Sequence, residues 1–417
     1  MSQPIELKES GSLSVASALV WSLWFRFGSM LGVRATNRGE KVIFSFTDEQ
    51  EQFRSVVQRF LKQKSPITEV RRLMETDEGY DPDVWRELSE DLGLPAIHIP
   101  EAYGGAGFGP VELGIVMEEL GRSLLCAPYF STTVLAANAI LNAGSEAQKL
   151  DMLPAFARGE QLATLAVTES NGRWDAAGIE CIASPAHGGY LLNGTKNFVL
   201  DGCLANLLVV VARNPGSTGN DGLSFFALDG NTDGTDRRAL EPMDATRKLA
   251  RIEFNNAQAT LIGELGAGFA PLRKTLDQAA VALANEMVGG AQALLDAAVE
   301  YAKMRMQFGR AIGSFQAIKH KCADMLIDVE LAKSAAYHAA QAAAVDDSDT
   351  SALASLAKAC ASDAYVRTAA NCIQIHGGIG FTWDNDTHLW YKRAKSSEAF
   401  LGLPDYHREL LMQQWGS

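Results

Sequence analysis

The sequence predicts an α+β multidomain fold: an N-terminal α-helical domain over 44–158, a middle antiparallel β domain over 159–268 and a C-terminal four-helix bundle over 269–417. Three observations carry this. Apolar residues recur at helical spacing from Thr47 to about residue 157. Near residue 160 they give way to short β-rich runs separated by turn residues. From about residue 270 long, alanine-rich amphipathic segments return.

The first helix opens at Thr47-Asp-Glu-Gln50, where a threonine cap and a glutamine three residues on form a capping box. Phe53, Val56, Val57 and Phe60 follow as its apolar stripe. Further helical runs span 82–91, 110–123, 130–142 and 146–157, with a glycine-rich loop over Pro100–Gly109. The β-rich runs are Ala163–Thr168, Ile179–Ser184, Tyr190–Leu192, Leu207–Ala212, Leu223–Leu228 and Ala250–Phe254. Turns such as Asn193-Gly194 and Asp201-Gly202 punctuate them, a pattern that suits a compact antiparallel barrel or sandwich. The C-terminal helices are expected over 269–305, 315–345, 350–376 and 385–400, with a last one after Pro404.

At 417 residues the chain is long enough for more than one core. With 47% hydrophobic and 21% charged residues it has the balance of a soluble globular protein. A net charge of −13 argues against nucleic-acid binding, which requires a positive field. It leaves anionic small ligands open, because local arginines and lysines decide that. Six scattered cysteines without a C-x-x-C pair read as reduced thiols of a cytoplasmic protein. Residues 12–33 are apolar and aromatic but carry Arg26 and several serines, marginal against the ~20 apolar residues of a membrane span. Their mildly acidic approach is not that of a secretory signal. Residues 1–43 are therefore read as an N-terminal extension, either an amphipathic surface segment or sequence upstream of a mis-assigned start.

Chemistry concentrates in two stretches. Arg305-Met-Gln307-Phe308-Gly309, followed by Phe315-Gln316, offers a cation, an aromatic face and amides. Gln374-Ile-His376-Gly377-Gly378-Ile-Gly380-Phe381 offers a glycine turn after a long helix, where a backbone can approach a ligand that any Cβ would repel. Arginine grips phosphate through a planar fork, and phenylalanine can stack on a purine. Alone, Arg305 would read as a helix C-cap contributing roughly 0.3–1 kcal/mol. Together the stretches read as two halves of a dinucleotide site on different helices.

In this order and spacing they resemble the acyl-CoA dehydrogenase family, over about residues 44–415. The resemblance implies FAD lying between subunits of a homo- or hetero-oligomer. Arg305 would contact the pyrophosphate, Phe308 would lie on the adenine side and Gln316 would assist. Gln374, Gly377 and Gly378 would reach the FAD of the neighbouring subunit. Thr168 matches a residue that bonds the flavin pyrimidine, and Phe198 stands for the tryptophan that covers the flavin face. Two departures accompany these matches: Trp174 replaces a serine, and Leu200 replaces a hydroxyl residue that donates to flavin N5.

The family's chemistry is α,β-desaturation of an acyl-CoA thioester, in which a carboxylate removes the α-proton while a hydride leaves Cβ. By the resemblance, the common base position falls at Leu401 and the second family solution at Ala279; neither residue accepts a proton. Ala280 replaces an arginine usual in the family. The candidate carboxylates nearby in the chain are Glu398, one turn before Leu401, and then Asp384, with Asp386 beside it. Asp277 and Glu286 read as structural, and His376 as support for the glycine turn. The expected function is an FAD-dependent acyl-CoA dehydrogenase passing electrons to an electron-transfer flavoprotein. Its alternative is a non-catalytic or half-site subunit of a heteromeric acyl-CoA dehydrogenase in lipid or steroid catabolism. A flavin monooxygenase or oxidase on the same fold is a further alternative.

Because residues 1–43 precede the first capping signal, their deletion is expected to leave the melting temperature and flavin content nearly unchanged. A large drop in melting temperature would show that the aromatic stretch packs on the body of the protein.

Overall fold

Thr47 and Gln50 close the capping box that their spacing predicts. Thr47 Oγ1 accepts from the Gln50 amide at 3.3 Å, and Gln50 Oε1 accepts from the Thr47 amide at 3.0 Å. They open helix α1 (Asp48–Lys64), the first element of the computed structural model, which describes residues 46–415. The reading of residues 1–43 lies outside the described residues. On α1 the buried stripe is Val57 and Leu61, while Val56 faces outward. Helices α2 (Ile67–Met74), α3 (Pro82–Glu90) and α4 (Pro110–Ser123) follow. The chain then runs as a π-helical segment, Phe130–Ala136, into α5 (Ala137–Ala143) and α6 (Glu146–Ala157). A second capping box, Ser145 with Gln148, starts α6. The glycine-rich loop closes on itself: a Cβ on Gly105 would collide with the Ile99 carbonyl, so that glycine serves a tight connection.

The middle domain comprises β1 (Ala163–Ala166), β2 (Ile182–Ala186), β3 (Gly189–Leu200), β4 (Leu207–Arg213), β5 (Leu223–Asp229), β6 (Thr235–Leu240) and β7 (Leu249–Ile262). Antiparallel pairs run β4–β5–β7–β3–β2, and a single parallel pair, Ile182 with Arg213, returns the path to β4. The strands thus curl into a closed sheet with its own core, which includes Leu192, Val210, Phe226 and Ile252. β1 joins β4 in parallel, because the chain enters it from the helical domain rather than from a hairpin. β3 continues well beyond the predicted Tyr190–Leu192, through a bulge between Lys196 and Val199. Just before that bulge, the fully buried Lys196 donates to Val167 O (2.9 Å) and Glu169 (2.7 Å). Glu169 also accepts the amides of Glu180 and Cys181, so its negative charge is fully bonded.

The C-terminal domain contains α7 (Phe269–Met304), a two-residue hairpin β8 (Met306–Gln307) and β9 (Arg310–Ala311), and then α8 (Gln316–Ala344), α9 (Thr350–His376), α10 (Thr387–Ala399) and α11 (Pro404–Trp415). Gly289 lets α7 lie directly on the α4 backbone, since a Cβ there would strike the Glu118 carbonyl. Among the described residues no helix is long and apolar enough to cross a membrane.

The three domains meet on a buried set of charges. Arg393 of α10 donates to Asp244 (2.7 Å) and to Glu286 of α7 (2.6 Å). Arg247, just ahead of β7, pairs with the other oxygen of Glu286 and donates to Ser397 Oγ at 2.9 Å. Burial disfavours the charge on Arg393, but Asp244 and Glu286 outweigh it and hold the guanidinium protonated. Asp201, directly after β3, accepts from Ser131 of the π-helical segment at 2.6 Å. Burial pushes the Asp201 carboxyl up to about 6, against the pull of Ser131, Arg247, Arg393 and Lys248.

An unfolded aspartate titrates near pH 3.9. The folded Asp201 carboxyl holds its proton to higher pH, so the stability that proton contributes is complete below about pH 4. It is lost as pH rises through about 6. Asp201→Asn keeps the acceptor for Ser131 and carries no charge. Its stability relative to wild type should therefore rise between pH 4 and 7, by on the order of 1–3 kcal/mol, in paired thermal melts. A difference independent of pH would contradict this.

Candidate active site

The turn after α10 is a rigid backbone device that presents a hydrocarbon. Leu401 and Gly402 both take positive φ, 63° and 108°. Leu401 is 3% exposed, and among the described residues its N–H has no acceptor. A buried amide left unpaired suits a ligand carbonyl. Beneath the turn, Lys358 is 0% exposed and donates to Gly402 O (2.9 Å), Glu398 O (3.2 Å) and Ser362 Oγ (3.1 Å). His407 Nε2 donates to Leu401 O at 3.0 Å. Burial lowers Lys358 to about 7, partly offset by the Glu398 charge. Burial, with the nearby Lys358 charge, lowers His407 to about 3. His407 is therefore neutral, with Nε2 carrying the proton it gives to the Leu401 carbonyl.

The carboxylates singled out in the sequence lie elsewhere. Glu398 is ion-paired to Lys395 on its own helix, and Asp384 is exposed in the loop before α10. Neither lines the cavity at the domain junction. Asp277, pushed up to about 6 by burial, sits beside Arg273. Glu286, read from the sequence as a helix polar contact, is the shared anion of Arg247 and Arg393. Ala279 and Ala280 are buried in α7. His376 donates Nδ1–H to Cys372 O (2.8 Å) and stacks on Tyr301 at 4.2 Å, holding the end of α9 in place.

That cavity has a volume of about 30 Å³, room for a couple of waters. Tyr129, Phe130, Leu200, Asp201, Arg247 and Glu286 are among its walls. Phe400 packs edge-on against Phe130 (5.7 Å) and Trp174 (5.1 Å). The Arg247 guanidinium lies 5.7 Å from the Phe130 ring centre and 5.9 Å from that of Phe400. Arg247, Asp201 and Lys358 went unmarked in the sequence. The one local signal is a charged, turn-like run, Asp244-Ala-Thr-Arg-Lys248, entering a strand.

The proposed cofactor residues form three groups. Arg305 caps α7, and the β8–β9 hairpin displays Phe308 at 90% exposure with φ 52°; Gln316 is exposed as the first residue of α8. Gln374, Gly377 and Gly378 are exposed at the end of α9. A Cβ built on Gly309, Gly377 or Gly378 would meet nothing within 4 Å. On the β domain, the β3 bulge turns Phe198 outward at φ 56° and 51% exposure. Thr168 Oγ1 donates to Asn197 O at 2.6 Å, so toward a ligand it can only accept. Among the described residues Arg305 has no ion-pair partner. An unpaired guanidinium, an exposed ring and open glycine backbone fit a dinucleotide laid on the surface.

The chain matches the acyl-CoA dehydrogenase N-terminal domain over residues 47–160, the middle domain over 164–257 and the C-terminal domain over 266–415. It is 33% identical over 361 residues to acyl-CoA dehydrogenase IpdE2 of Mycolicibacterium smegmatis, covering 86% of this chain and 96% of that one. Butyryl-CoA dehydrogenase from Megasphaera elsdenii superposes with a TM-score of 0.84 at 30% identity, over 90% of this chain and 100% of that one. A chain of the ChsE4-ChsE5 complex from Mycobacterium tuberculosis does so with a TM-score of 0.80 at 25% identity, over 90% and 99%. The chain belongs to the acyl-CoA dehydrogenase family, oxidoreductases that act on acyl-CoA.

Proposed function

We propose that this chain serves an FAD-dependent acyl-CoA dehydrogenase built from two kinds of subunit, and that it supplies cofactor-holding surface rather than the proton-abstracting site. The observation that carries this reading is Leu401. The turn is held in place by Lys358 and His407 and offers its N–H, yet its side chain is a buried hydrocarbon. The domain junction nearby is walled by charges and aromatic rings around a cavity of about 30 Å³. The similarity to a chain of the ChsE4-ChsE5 complex supports an assembly of unlike chains.

In this reading Arg305, Phe308 and Gln316 hold one side of an FAD. Gln374, Gly377 and Gly378 face the FAD bound on the adjoining subunit, and Thr168 and Phe198 border the flavin ring. When bound, FAD supplies a two-electron acceptor for the hydride leaving Cβ of the thioester. The α-proton goes to a carboxylate of the partner subunit, and the acceptor downstream is an electron-transfer flavoprotein.

One observation favours a second reading, an autonomous dehydrogenase with a relocated base. Asp201 lines the cavity, and among the described residues it has no ion-pair partner. Burial brings it into the range of a general base near neutral pH.

Native mass spectrometry of the assembly isolated from its own cell should show this chain bound to a second chain of the family. The chain purified alone and mixed anaerobically with acyl-CoAs should leave its flavin band unbleached. A homomer that bleaches at ordinary dehydrogenase rates would contradict the proposal. Asp201→Asn would then identify the base by a loss of at least about a hundredfold. Independently of turnover, Arg305→Ala should remove charge-assisted bonds of about 1.5–3 kcal/mol and weaken FAD retention at least tenfold, read by dialysis and flavin absorbance. Undiminished retention would remove Arg305 from the cofactor site.

A further inference from the structure

We propose that Arg247 plugs the acyl channel of this chain, so that a thioester held at the Leu401 turn has nowhere to lay its hydrocarbon. A carbonyl accepted by the Leu401 N–H places the acyl group beside Phe400, the residue before it. Phe400 packs on Phe130, which lines the junction cavity with Met117, Leu120 and Leu200 on its apolar side and Asp201, Glu286 and Arg393 on its charged side. Those apolar walls are what an alkyl chain would bury, yet the Arg247 guanidinium also lines the cavity, beside the Phe130–Phe400 contact at 5.7 and 5.9 Å from the two ring centres, and about 30 Å³ remains.

The plug is anchored on every side. Glu286 pairs with it, Ser397 Oγ accepts from it at 2.9 Å, and two ring faces cover it. Such a group does not swing aside for a hydrocarbon. Withdrawing it would leave a buried carboxylate oxygen without its cation, and displacing its rings would break the Phe400 contacts with Phe130 and Trp174. Glu286 nevertheless keeps its second partner, Arg393, whose bonds to Asp244 and Thr246 do not involve Arg247. Loss of Arg247 therefore destabilises the buried cluster but leaves the Arg393 link between Asp244 and Glu286 in place. Arg247 determines what the site accepts: the thioester head with its CoA, and not the acyl tail.

The inference rests on the proposed function only in taking acyl-CoA as the ligand. Its readout is binding, not turnover, so its failure and that of the two-subunit reading are distinguishable. The full-length chain, purified with its cofactor, is titrated calorimetrically with butyryl-, hexanoyl- and octanoyl-CoA. In wild type the dissociation constants should agree within about twofold, because no methylene is buried. In Arg247→Ser affinity should rise with chain length, by roughly fourfold per methylene for an open apolar channel. Should that variant fail to fold, Arg247→Ser/Glu286→Gln, which removes both charges of the pair, takes its place. A wild-type affinity that already climbs with chain length would overturn the plug by itself, without any variant. Folded variants as insensitive to chain length as wild type would overturn it equally.

Discussion

Everything near the candidate site hangs on two arginines sharing Glu286. Arg393 comes from α10, Arg247 from the approach to β7 and Glu286 from α7, so one carboxylate fixes the relative positions of the β domain and two helices of the bundle. With Asp244 the cluster holds two positive and two negative groups, all buried. Such a set is weak evidence for stability, because desolvation consumes much of the Coulomb gain. Its effect is on geometry: losing any one partner leaves an uncompensated buried charge, costing about 3–5 kcal/mol. The domains therefore have one relative placement, and the Phe400–Gly402 turn, which ends α10, inherits it.

That inheritance separates binding from chemistry. The backbone of the turn is defined by Lys358 and His407, neither of which depends on the side chain at 401. A leucine can occupy the position without disturbing the fold; in the proposed reading proton abstraction is then lost while the amide is kept. The cofactor surface is equally independent. Arg305 and Phe308 sit on a hairpin between two bundle helices, and Gln374 and Gly378 at the end of a third, away from the ion cluster in sequence and in contacts. In that reading a chain without the base still offers its cofactor surface to an assembly.

What was legible in the sequence was local. The Thr47 capping box, the spans of α4 and α6, and the glycine turn after α9 follow from spacing within a few residues. β6 escaped because Thr235–Leu240 is largely polar and covers only one edge of β7, so it lacks apolar alternation. α2 escaped because it is eight residues long and begins at a proline with no side-chain cap. The ion cluster was illegible for a different reason. Glu286 finds Arg247 and Arg393 across sequence separations of 39 and 107 residues, and nothing near any of the three announces the others. Glu398 drew attention by its nearness to Leu401 in the chain, whereas in space its carboxylate is turned to Lys395.

The central claim is that this chain holds an acyl-CoA dehydrogenase scaffold without removing the α-proton itself. Proton abstraction is observable without any electron acceptor, as exchange at the α-carbon. The FAD-loaded chain, incubated alone with butyryl-CoA in deuterated water and followed by proton NMR, should leave the α-methylene signal intact beyond the buffer rate. Enzyme-dependent loss of that signal, abolished by Asp201→Asn, would contradict the account and place a working base in this chain.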